Sequence, residues 1–380
     1  MKRIILTIIA LVAVVSNLLQ AAEETNTKSF KVGKGGTLNV DLRAGEITIL
    51  TWEKDEVFMK VTGLSNEAFK NLEINLQGNE LTIRYENIHD DSEDEAVFTF
   101  TVPSKFNLDL KTLGGDISLK NNLDGKIVVD SYGGDIKTKN VNGALKIETK
   151  GGDIKLEDIN GDCNAYTYGG DISINLVTGK NAKVTTNGGD INVKKAVYGI
   201  GAKTYGGDIT INELGSDSEL STYGGDVSVG YAKGNIRMDT YGGNLELKTA
   251  TGNIKGKTNG GDIIFKKIEG SVDIKTLSGT ITVELSPTLN SESKISTSSG
   301  SVELTMPSSA KTIVEARIRV QGYWKNAKNN YSINSKFEPQ SYNTDDSSRE
   351  IVGIYNINGG GSKVYLRSVN DNIIIKKASK

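Results

Sequence analysis

The residues of this chain that could do chemistry recur at a fixed spacing. An aspartate follows a pair of glycines about every 18 or 19 residues through the middle of the 380-residue sequence, at Asp116, Asp135, Asp153, Asp171, Asp190, Asp208, Asp226 and Asp262. Stacked carboxylates could bind Ca²⁺, and Asp190, Asp208 and Asp226 are then the candidate ligands. The favoured alternative is that each carboxylate accepts backbone N–H groups at a turn, because Asn244 occupies the same position in one repeat. We therefore expect no metal and no cofactor.

A tyrosine stands directly before the glycine pair in five repeats, at Tyr132, Tyr168, Tyr205, Tyr223 and Tyr241. The last three fall in consecutive repeats, so their rings should stack as an exposed strip. Amphipathic aromatic side chains favour binding surfaces, and such a strip could hold sugar rings or a peptide. The alternative is that the rings only stack on one another and stiffen the turn.

Enzymatic chemistry has little support in the sequence. The single histidine is His89, in an acidic segment, so neither a Ser-His-Asp arrangement nor a histidine-rich zinc site has a signature. The single cysteine, Cys163, falls in register with Ile127 and Leu145, which predicts a buried apolar role. The remaining enzymatic hypothesis is a polysaccharide-cleaving β-helix, but an active site should interrupt the repeat, and the carboxylates occupy repeated positions. We expect a protein that is not an enzyme.

These residues are positioned by short strands between glycine turns. Each glycine pair is followed by alternating apolar and polar residues, such as Ile209 and Ile211, which is typical of a strand with one buried face. A second glycine follows half a repeat later, as at Gly143 and Gly161. Strands that recur at a fixed short period must stack on their neighbours to bury that face. The prediction is an all-β, parallel single-stranded β-helix (β-solenoid) with about 18 residues per coil and irregular β caps.

The repeated positions should then form columns along this solenoid. The glycine pair with its aspartate is predicted to be a structural turn, as at Gly133, Gly134 and Asp135 and again at Gly206, Gly207 and Asp208. A threonine or serine lies two residues before each glycine pair, which predicts a structural ladder of hydroxyl side chains.

Pattern changes along the chain predict four segments. Residues 1–22 read as a signal peptide, because Lys2 and Arg3 precede a short apolar run that ends in small residues. Residues 23–111 form an N-terminal β cap with degenerate coils, 112–306 the regular repeats, and 307–380 a C-terminal β excursion and closing coil. Tyr323 and Trp324 in that excursion could carry recognition or cap the stack.

Charge and composition limit the partners. The formal net charge is only −2 and the basic residues are not clustered, which argues against nucleic acid. No segment after the signal peptide could span a bilayer as a stable transmembrane helix. We expect export to the periplasm, the outer surface or the extracellular space.

Several motifs together resemble the bacterial putative-adhesin family of β-strand repeat domains, the toastrack-type family of unknown function. These are the recurring Gly-Gly-Asp-Ile, the half-repeat Asn-Gly and Thr-Gly turns, the opening Gly45-Glu46-Ile47-Thr48-Ile49 before Trp52, and the glycine-rich segment from Asn358 to Ile375. The resemblance covers roughly residues 30–378 and implies an exported β-helix with a role in adhesion or envelope sensing. It supplies no catalytic motif.

Resemblance and residues together predict an adhesin-like surface or periplasmic interaction module. A glycan or an envelope or surface protein is the expected partner. The alternative function is an envelope-stress or assembly scaffold that binds a protein partner.

Overall fold

The structure is a computed structural model that describes residues 25–86, 96–215, 217–322, 328–345, 347 and 349–378. The predicted signal peptide, His89, Tyr323 and Trp324 lie outside the described residues. The described chain is β-strand almost throughout, with one short α-helix, so the all-β prediction is confirmed.

The N-terminal part contains eight strands and the helix. These are β1 (Thr25–Lys31), β2 (Thr37–Leu42), β3 (Glu46–Trp52), β4 (Glu56–Thr62), α1 (Asn66–Lys70), β5 (Glu73–Gln77), β6 (Glu80–Tyr85), β7 (Val97–Pro103) and β8 (Asn107–Thr112). Antiparallel pairs join β1 to β4, β4 to β7 and β5 to β6. By contrast, β2 runs parallel to β8, and β3 runs parallel to the first strand of the repeats, β9 (Ile117–Leu119).

The repeats form the central array. Their strands are β9 (Ile117–Leu119), β10 (Leu123–Asp124), β11 (Ile127–Ser131), β12 (Ile136–Thr138), β13 (Val141–Asn142), β14 (Leu145–Thr149), β15 (Ile154–Ile159), β16 (Cys163–Thr167), β17 (Ile172–Val177), β18 (Ala182–Thr186), β19 (Ile191–Ala196), β20 (Ile200–Lys203), β21 (Ile209–Leu214), β22 (Ser218–Ser221), β23 (Val227–Lys233), β24 (Ile236–Asp239), β25 (Leu245–Lys257), β26 (Ile263–Thr276), β27 (Ile281–Pro287), β28 (Glu292–Thr297) and β29 (Val302–Met306).

Each strand of the array pairs in parallel with the equivalent strand of the next repeat. Ile172 of β17 pairs with Ile191 of β19, which in turn pairs with Ile209 of β21. The repeated spacing therefore sets the register, and identical residue types lie beside one another in adjacent strands. The result is a β-solenoid-like repeat fold.

Three buried apolar columns follow the glycine pair, and further ones, such as that of Ile127, Leu145 and Cys163, follow the half-repeat glycine; together they make the core of the array. Two of the three are the alternating positions that the sequence predicts, for example Ile209 and Ile211 in β21. The third lies later in each repeat, in the separate short strands β10 and β13 and from β15 onward in the same strand as the alternating pair, and was not predicted; it comprises Leu123, Val141, Ile159, Val177, Ala196, Leu214, Ala232, Ala250 and Ile268. Full burial of a medium-sized apolar side chain contributes about 1.5–3 kcal/mol, so the columns supply the main stabilisation of a chain without disulfides.

Two strands differ from the predicted break at the half-repeat glycine. β25 and β26 run through Gly252 and Gly270 without interruption, and these two glycines pair with each other. Both glycines have positive φ, 125° and 148°, a conformation that other residues rarely adopt. The glycine therefore changes the direction of the strand there without ending its hydrogen bonds.

The C-terminal part returns to the array. Its elements are β30 (Thr312–Arg319), a 3₁₀ turn (Lys328–Asn330), β31 (Ile333–Ser335), β32 (Ser341–Asp345), β33 (Glu350–Ile357), β34 (Ser362–Val369) and β35 (Ile373–Lys377). β33 pairs antiparallel with β30 and β32. β34 and β35 pair in parallel with β28 and β29 and extend the array by further strands.

Candidate functional site

The five predicted tyrosines lie on one edge of the array and are all exposed. Their exposed fractions are between 49% at Tyr205 and 62% at Tyr168 and Tyr223. Each follows a buried threonine or serine by one residue, and successive side chains of an extended chain point to opposite sides. The inward hydroxyl residue, such as Thr222 before Tyr223, thereby fixes the outward direction of the tyrosine.

Three of these rings stack in consecutive repeats. The centroids of Tyr205 and Tyr223 are 6.5 Å apart with an interplanar angle of 20°, and those of Tyr223 and Tyr241 are 5.4 Å apart at 12°. We call Tyr205, Tyr223 and Tyr241 the tyrosine strip. Because neighbouring rings are nearly parallel, Tyr223 has another ring on each of its two sides.

Lysines cover part of the remaining ring surface. The Lys203 ammonium lies 4.6 Å from the centroid of Tyr205, and the Lys150 ammonium lies 4.3 Å from that of Tyr132. Such cation–π contacts stabilise an exposed ring by about 0.5–1 kcal/mol. Lys150 and Asn187 also separate Tyr132 and Tyr168 from the tyrosine strip, so the structure brings together three of the five predicted residues.

The aspartates of the glycine turns bond to the backbone of the next repeat. Oδ1 of Asp190 accepts the N–H of Asp208 at 2.8 Å, and Oδ1 of Asp208 accepts the N–H of Asp226 at 2.8 Å. Asn244 Oδ1 accepts the N–H of Asp262 in the same way, so the contact does not require a charge. Within the described ranges, no group of three or more histidine, cysteine, aspartate or glutamate side chains is arranged to hold a metal ion.

The charge state of one of these aspartates is altered by its contacts. The N–H of Asp153 donates to the Asp135 carboxylate and lowers its pKa below the ordinary 3.8, and the Lys137 ammonium, 3.1 Å away, adds to this effect. The carboxylate is therefore ionised at neutral pH. An ionised, backbone-bonded group of this kind is suited to holding a turn rather than to proton transfer.

The glycine pair and the threonine complete each turn. A Cβ on Gly207 would lie 2.2 Å from the carbonyl oxygen of Gly189, which excludes any side chain there. The buried Thr222 hydroxyl donates to the carbonyl of Gly207 at 2.8 Å and accepts the N–H of Gly225 at 3.3 Å. Each turn is thus bonded both within its own repeat and to the preceding one.

Cys163 is buried, with 1% of its surface exposed. Burial raises the pKa of its thiol to about 12. A thiol that stays protonated is a poor nucleophile, so Cys163 acts as an apolar residue of the core.

Two grooves lie on the outward surface of the array. One, of about 640 Å³, crosses β9, β12, β15, β17 and β19 and is rich in lysine. Three of its five lysines have acidic neighbours: Lys137 lies 3.1 Å from Asp135, Lys139 lies 3.6 Å from Glu157, and Lys155 lies 3.8 Å from Asp153. More than half of the positive charge of the groove is therefore paired.

The second groove, of about 960 Å³, lies beside Tyr198. No site was predicted there from the sequence. Tyr198 is 42% exposed and stands at the half-repeat turn. One feature of the sequence could have indicated this groove. Tyr198 occupies the position at which Gly234 stands two repeats later.

Solved structures offer distant likenesses. A putative cell adhesion protein from Clostridium sporogenes ATCC 15579 is 10% identical, with 94% of this chain and 100% of that chain covered and a TM-score of 0.19. A putative adhesin from Parabacteroides distasonis ATCC 8503 is 16% identical, with 74% and 98% covered and a TM-score of 0.31. A putative lipid binding protein from the same strain is 10% identical, with 93% and 97% covered and a TM-score of 0.19. Values this low do not establish a shared function.

No curated protein matches the chain. Within the described residues, no helix has the length and apolar character that crossing a membrane requires. The family model Toastrack DUF4097, however, matches residues 19–233 and 198–336, which is most of the sequence. The chain therefore belongs to the Toastrack DUF4097 family, as its repeated glycine turns predict.

Proposed function

We propose that this protein is an exported, non-catalytic, adhesin-like module that binds an extended partner along its exposed tyrosines. The observation that carries the proposal is the tyrosine strip, three adjacent rings that are each about half exposed or more, with Tyr132 and Tyr168 further along the same edge of a regular array. Contiguous exposed apolar surface is uncommon on soluble proteins and usually marks an interaction site. A glycan, a peptide or an envelope protein fits such an edge.

The proposal includes the geometry of the array. We infer a parallel single-stranded β-helix with about 18 residues per coil, which the parallel pairing of residues 18 or 19 positions apart supports. Adjacent strands are about 4.8 Å apart, so the tyrosine strip extends over about 10 Å. A rigid strip of this length loses little conformational entropy when it binds a linear partner.

The stacked rings limit how a sugar could bind the strip. A pyranose packs its C–H groups against an open ring face, but Tyr223 has a ring on each side. We expect partners to contact ring edges and hydroxyl groups along the strip, or the outer face of Tyr241.

Export and the absence of catalysis are parts of this proposal. Export rests on the predicted signal peptide. The lack of catalysis is supported by the described carboxylates of the turns, which bond to backbone N–H groups in repeat after repeat.

A second candidate is a scaffold that binds a protein partner. Leu113 and Leu277 occupy the tyrosine position in the first and the last but one of the regular repeats and are 59% and 47% exposed. Leucine has no group that could bond a sugar hydroxyl, and it is suited to an apolar protein surface. A scaffold should lose binding when these end positions are changed.

Binding to immobilised glycans, cell-wall fragments and envelope-protein extracts tests the proposal. We expect saturable binding by the purified protein that Tyr223→Ala reduces at least about tenfold. Tyr231→Ala is the matched control, because Tyr231 is 43% exposed on another face. Equal binding by both variants and the unchanged protein would refute the role of the strip, and loss of binding only with a chelator would point to the aspartates.

A further inference from the structure

One coil of the array departs from the repeat at its half-repeat turn. In neighbouring coils, polar side chains at this turn bond to one another: Asn181 donates to Asp162 at 2.8 Å, and Asn253 donates to Asn235 at 3.0 Å. Gly199 stands in this column and has no side chain to continue it. Asn181 and Asp217 stand in the coils before and after Gly199. Their side chains are consequently separated by one coil that has no side chain at this position.

The backbone requires Gly199 to be a glycine. A Cβ there would lie 1.7 Å from the carbonyl oxygen of Asp217, closer than any real contact. The interruption of the polar column at Gly199 therefore has a conformational cause, and by itself it does not indicate a ligand.

Gly201, two residues later, has no such requirement. A Cβ there would meet nothing closer than the carbonyl oxygen of Ala182 at 3.9 Å, and its φ lies outside the left-handed region. The residues paired with it in the neighbouring coils are Lys183 and Glu219, whose side chains point outward. The missing side chain opens the floor of the groove without any benefit to the fold.

Tyr198 forms a wall of the same groove. Its side chain is 42% exposed, and the Lys180 ammonium lies 5.8 Å from the centroid of its ring. It differs from Tyr223, which has another tyrosine ring on each side. Tyr198 therefore offers an aromatic surface to a ligand.

The charges that line the groove are nearly balanced. Lys180, Arg237 and Lys255 face Asp217 and Glu219, and the Arg237 guanidinium already contacts Glu219 at 3.7 Å. Arg237 also bonds to Asp239 at 2.6 Å, outside the groove. The site favours a neutral, hydrogen-bonding ligand over a highly charged one.

We propose that this groove binds a neutral pyranose residue within a glycan. The sugar lies over Gly201 with its C–H face against Tyr198, while its hydroxyl groups bond to Asn181 and Asp217. Asp217 has acceptor capacity for this, since its Oδ1 accepts the N–H of Asn235 at 2.9 Å and a carboxylate has a second oxygen and further lone pairs. The inference rests on the proposed function and names a ligand class and a site separate from the tyrosine strip.

Calorimetric titration with defined tetrasaccharides tests the site. The neutral probes are the tetramers of N-acetylglucosamine, glucose and mannose, and tetragalacturonate is the anionic probe. Gly201→Lys restores the long side chain of neighbouring coils and should fill the groove while the fold is kept. Asn164→Lys is its control, because Asn164 is exposed in the same column two coils away and carries the same change of charge.

We expect a neutral tetramer to bind, and Gly201→Lys and Tyr198→Ala each to weaken it at least about tenfold, with Asn164→Lys unchanged. If only Tyr223→Ala weakens the affinity for the tetramer, the proposal of a sugar site in the groove is refuted, while the proposed function is retained. The proposal of a sugar site in the groove is also refuted if the folded protein binds none of the neutral tetramers, or if it binds tetragalacturonate alone. The proposed function fails only if the broader glycan and protein panel is negative too.

Discussion

At the scale of single residues, the turns are held by two kinds of position that tolerate little change. The second glycine of each pair lies against the backbone of the preceding repeat, and the threonine three residues earlier is buried with its hydroxyl bonded to that backbone. The first glycine of the pair has more space. Two adjacent glycines in one motif thus have different physical requirements.

This difference predicts unequal effects of alanine at neighbouring positions. A Cβ on Gly225 would lie 2.2 Å from the carbonyl oxygen of Gly207, whereas on Gly224 it would lie 3.2 Å from that of Gly206. We expect Gly225→Ala to lower the free energy of unfolding by at least about 3 kcal/mol and Gly224→Ala by about 1 kcal/mol or less. Urea denaturation followed by circular dichroism measures both, and equal losses would contradict the packing described for the turn.

The buried thiol of Cys163 leads us to expect that the free energy of unfolding decreases at alkaline pH. Its pKa is about 12 in the folded chain and 9.0 is the ordinary value, so folding favours the neutral thiol. The stabilisation is complete below pH 9.0 and is lost as pH rises towards 12. We expect a thiol reagent at pH 8 to label Cys163 only after denaturation. Rapid labelling of the native protein would show that the thiol is accessible.

At the scale of elements, the aspartates join successive turns through backbone bonds. Each carboxylate accepts an N–H from the next repeat, and Asn244 does so without a charge. An amide oxygen is therefore a sufficient acceptor. The column stabilises the turn by hydrogen bonding and has no need of a cation between its members.

The column can be tested at Asp208. We expect Asp208→Asn to change the free energy of unfolding by less than about 0.5 kcal/mol and Asp208→Ala to lower it by about 1 kcal/mol, because alanine leaves the N–H of Asp226 without its acceptor. Thermal unfolding with Ca²⁺ and with a chelator should give the same midpoint. A midpoint raised by Ca²⁺ and lost in Asp208→Asn would instead establish a metal site at Asp190, Asp208 and Asp226.

At the scale of the whole molecule, stability comes from contacts between neighbouring repeats. Most parallel pairs of the array join residues 18 or 19 positions apart, and the buried columns continue from one repeat to the next. In such an array the energy is approximately a sum over repeats and their interfaces. One repeat is therefore removable if the register of the others is kept.

Deletion of residues 206–223 tests this property. The deletion keeps a tyrosine–glycine junction and brings Val227 beside Ile191 in place of Ile209. We expect a soluble, folded protein with a lower urea midpoint. Deletion of residues 206–214 is the control, because half a repeat places unlike turns beside one another and should abolish cooperative unfolding. Similar behaviour of the two deletions would contradict the solenoid.

The burial pattern of the array could be predicted because it depends on local alternation. Ile209 and Ile211 alternate with polar residues, and Cys163 shares their type of position, so each was expected in the core. The third apolar column was not predicted, since Ala196, Ala232 and Ala250 give a weak signal in single repeats. Their burial depends on where the chain bends, and that follows from packing between strands.

Family, strand pairing and the identity of the turn residues could all be read from the repeated spacing, because identical positions must lie side by side in a stacked chain. The orientation of the tyrosine rings and the groove over Gly201 could not. Both depend on distances between residues of neighbouring coils. Gly199 and Gly201 are the same residue type in the sequence, but a side chain would clash with the backbone at Gly199 and would have space at Gly201. Only the tertiary structure separates a glycine that the backbone requires from one that leaves room for a ligand.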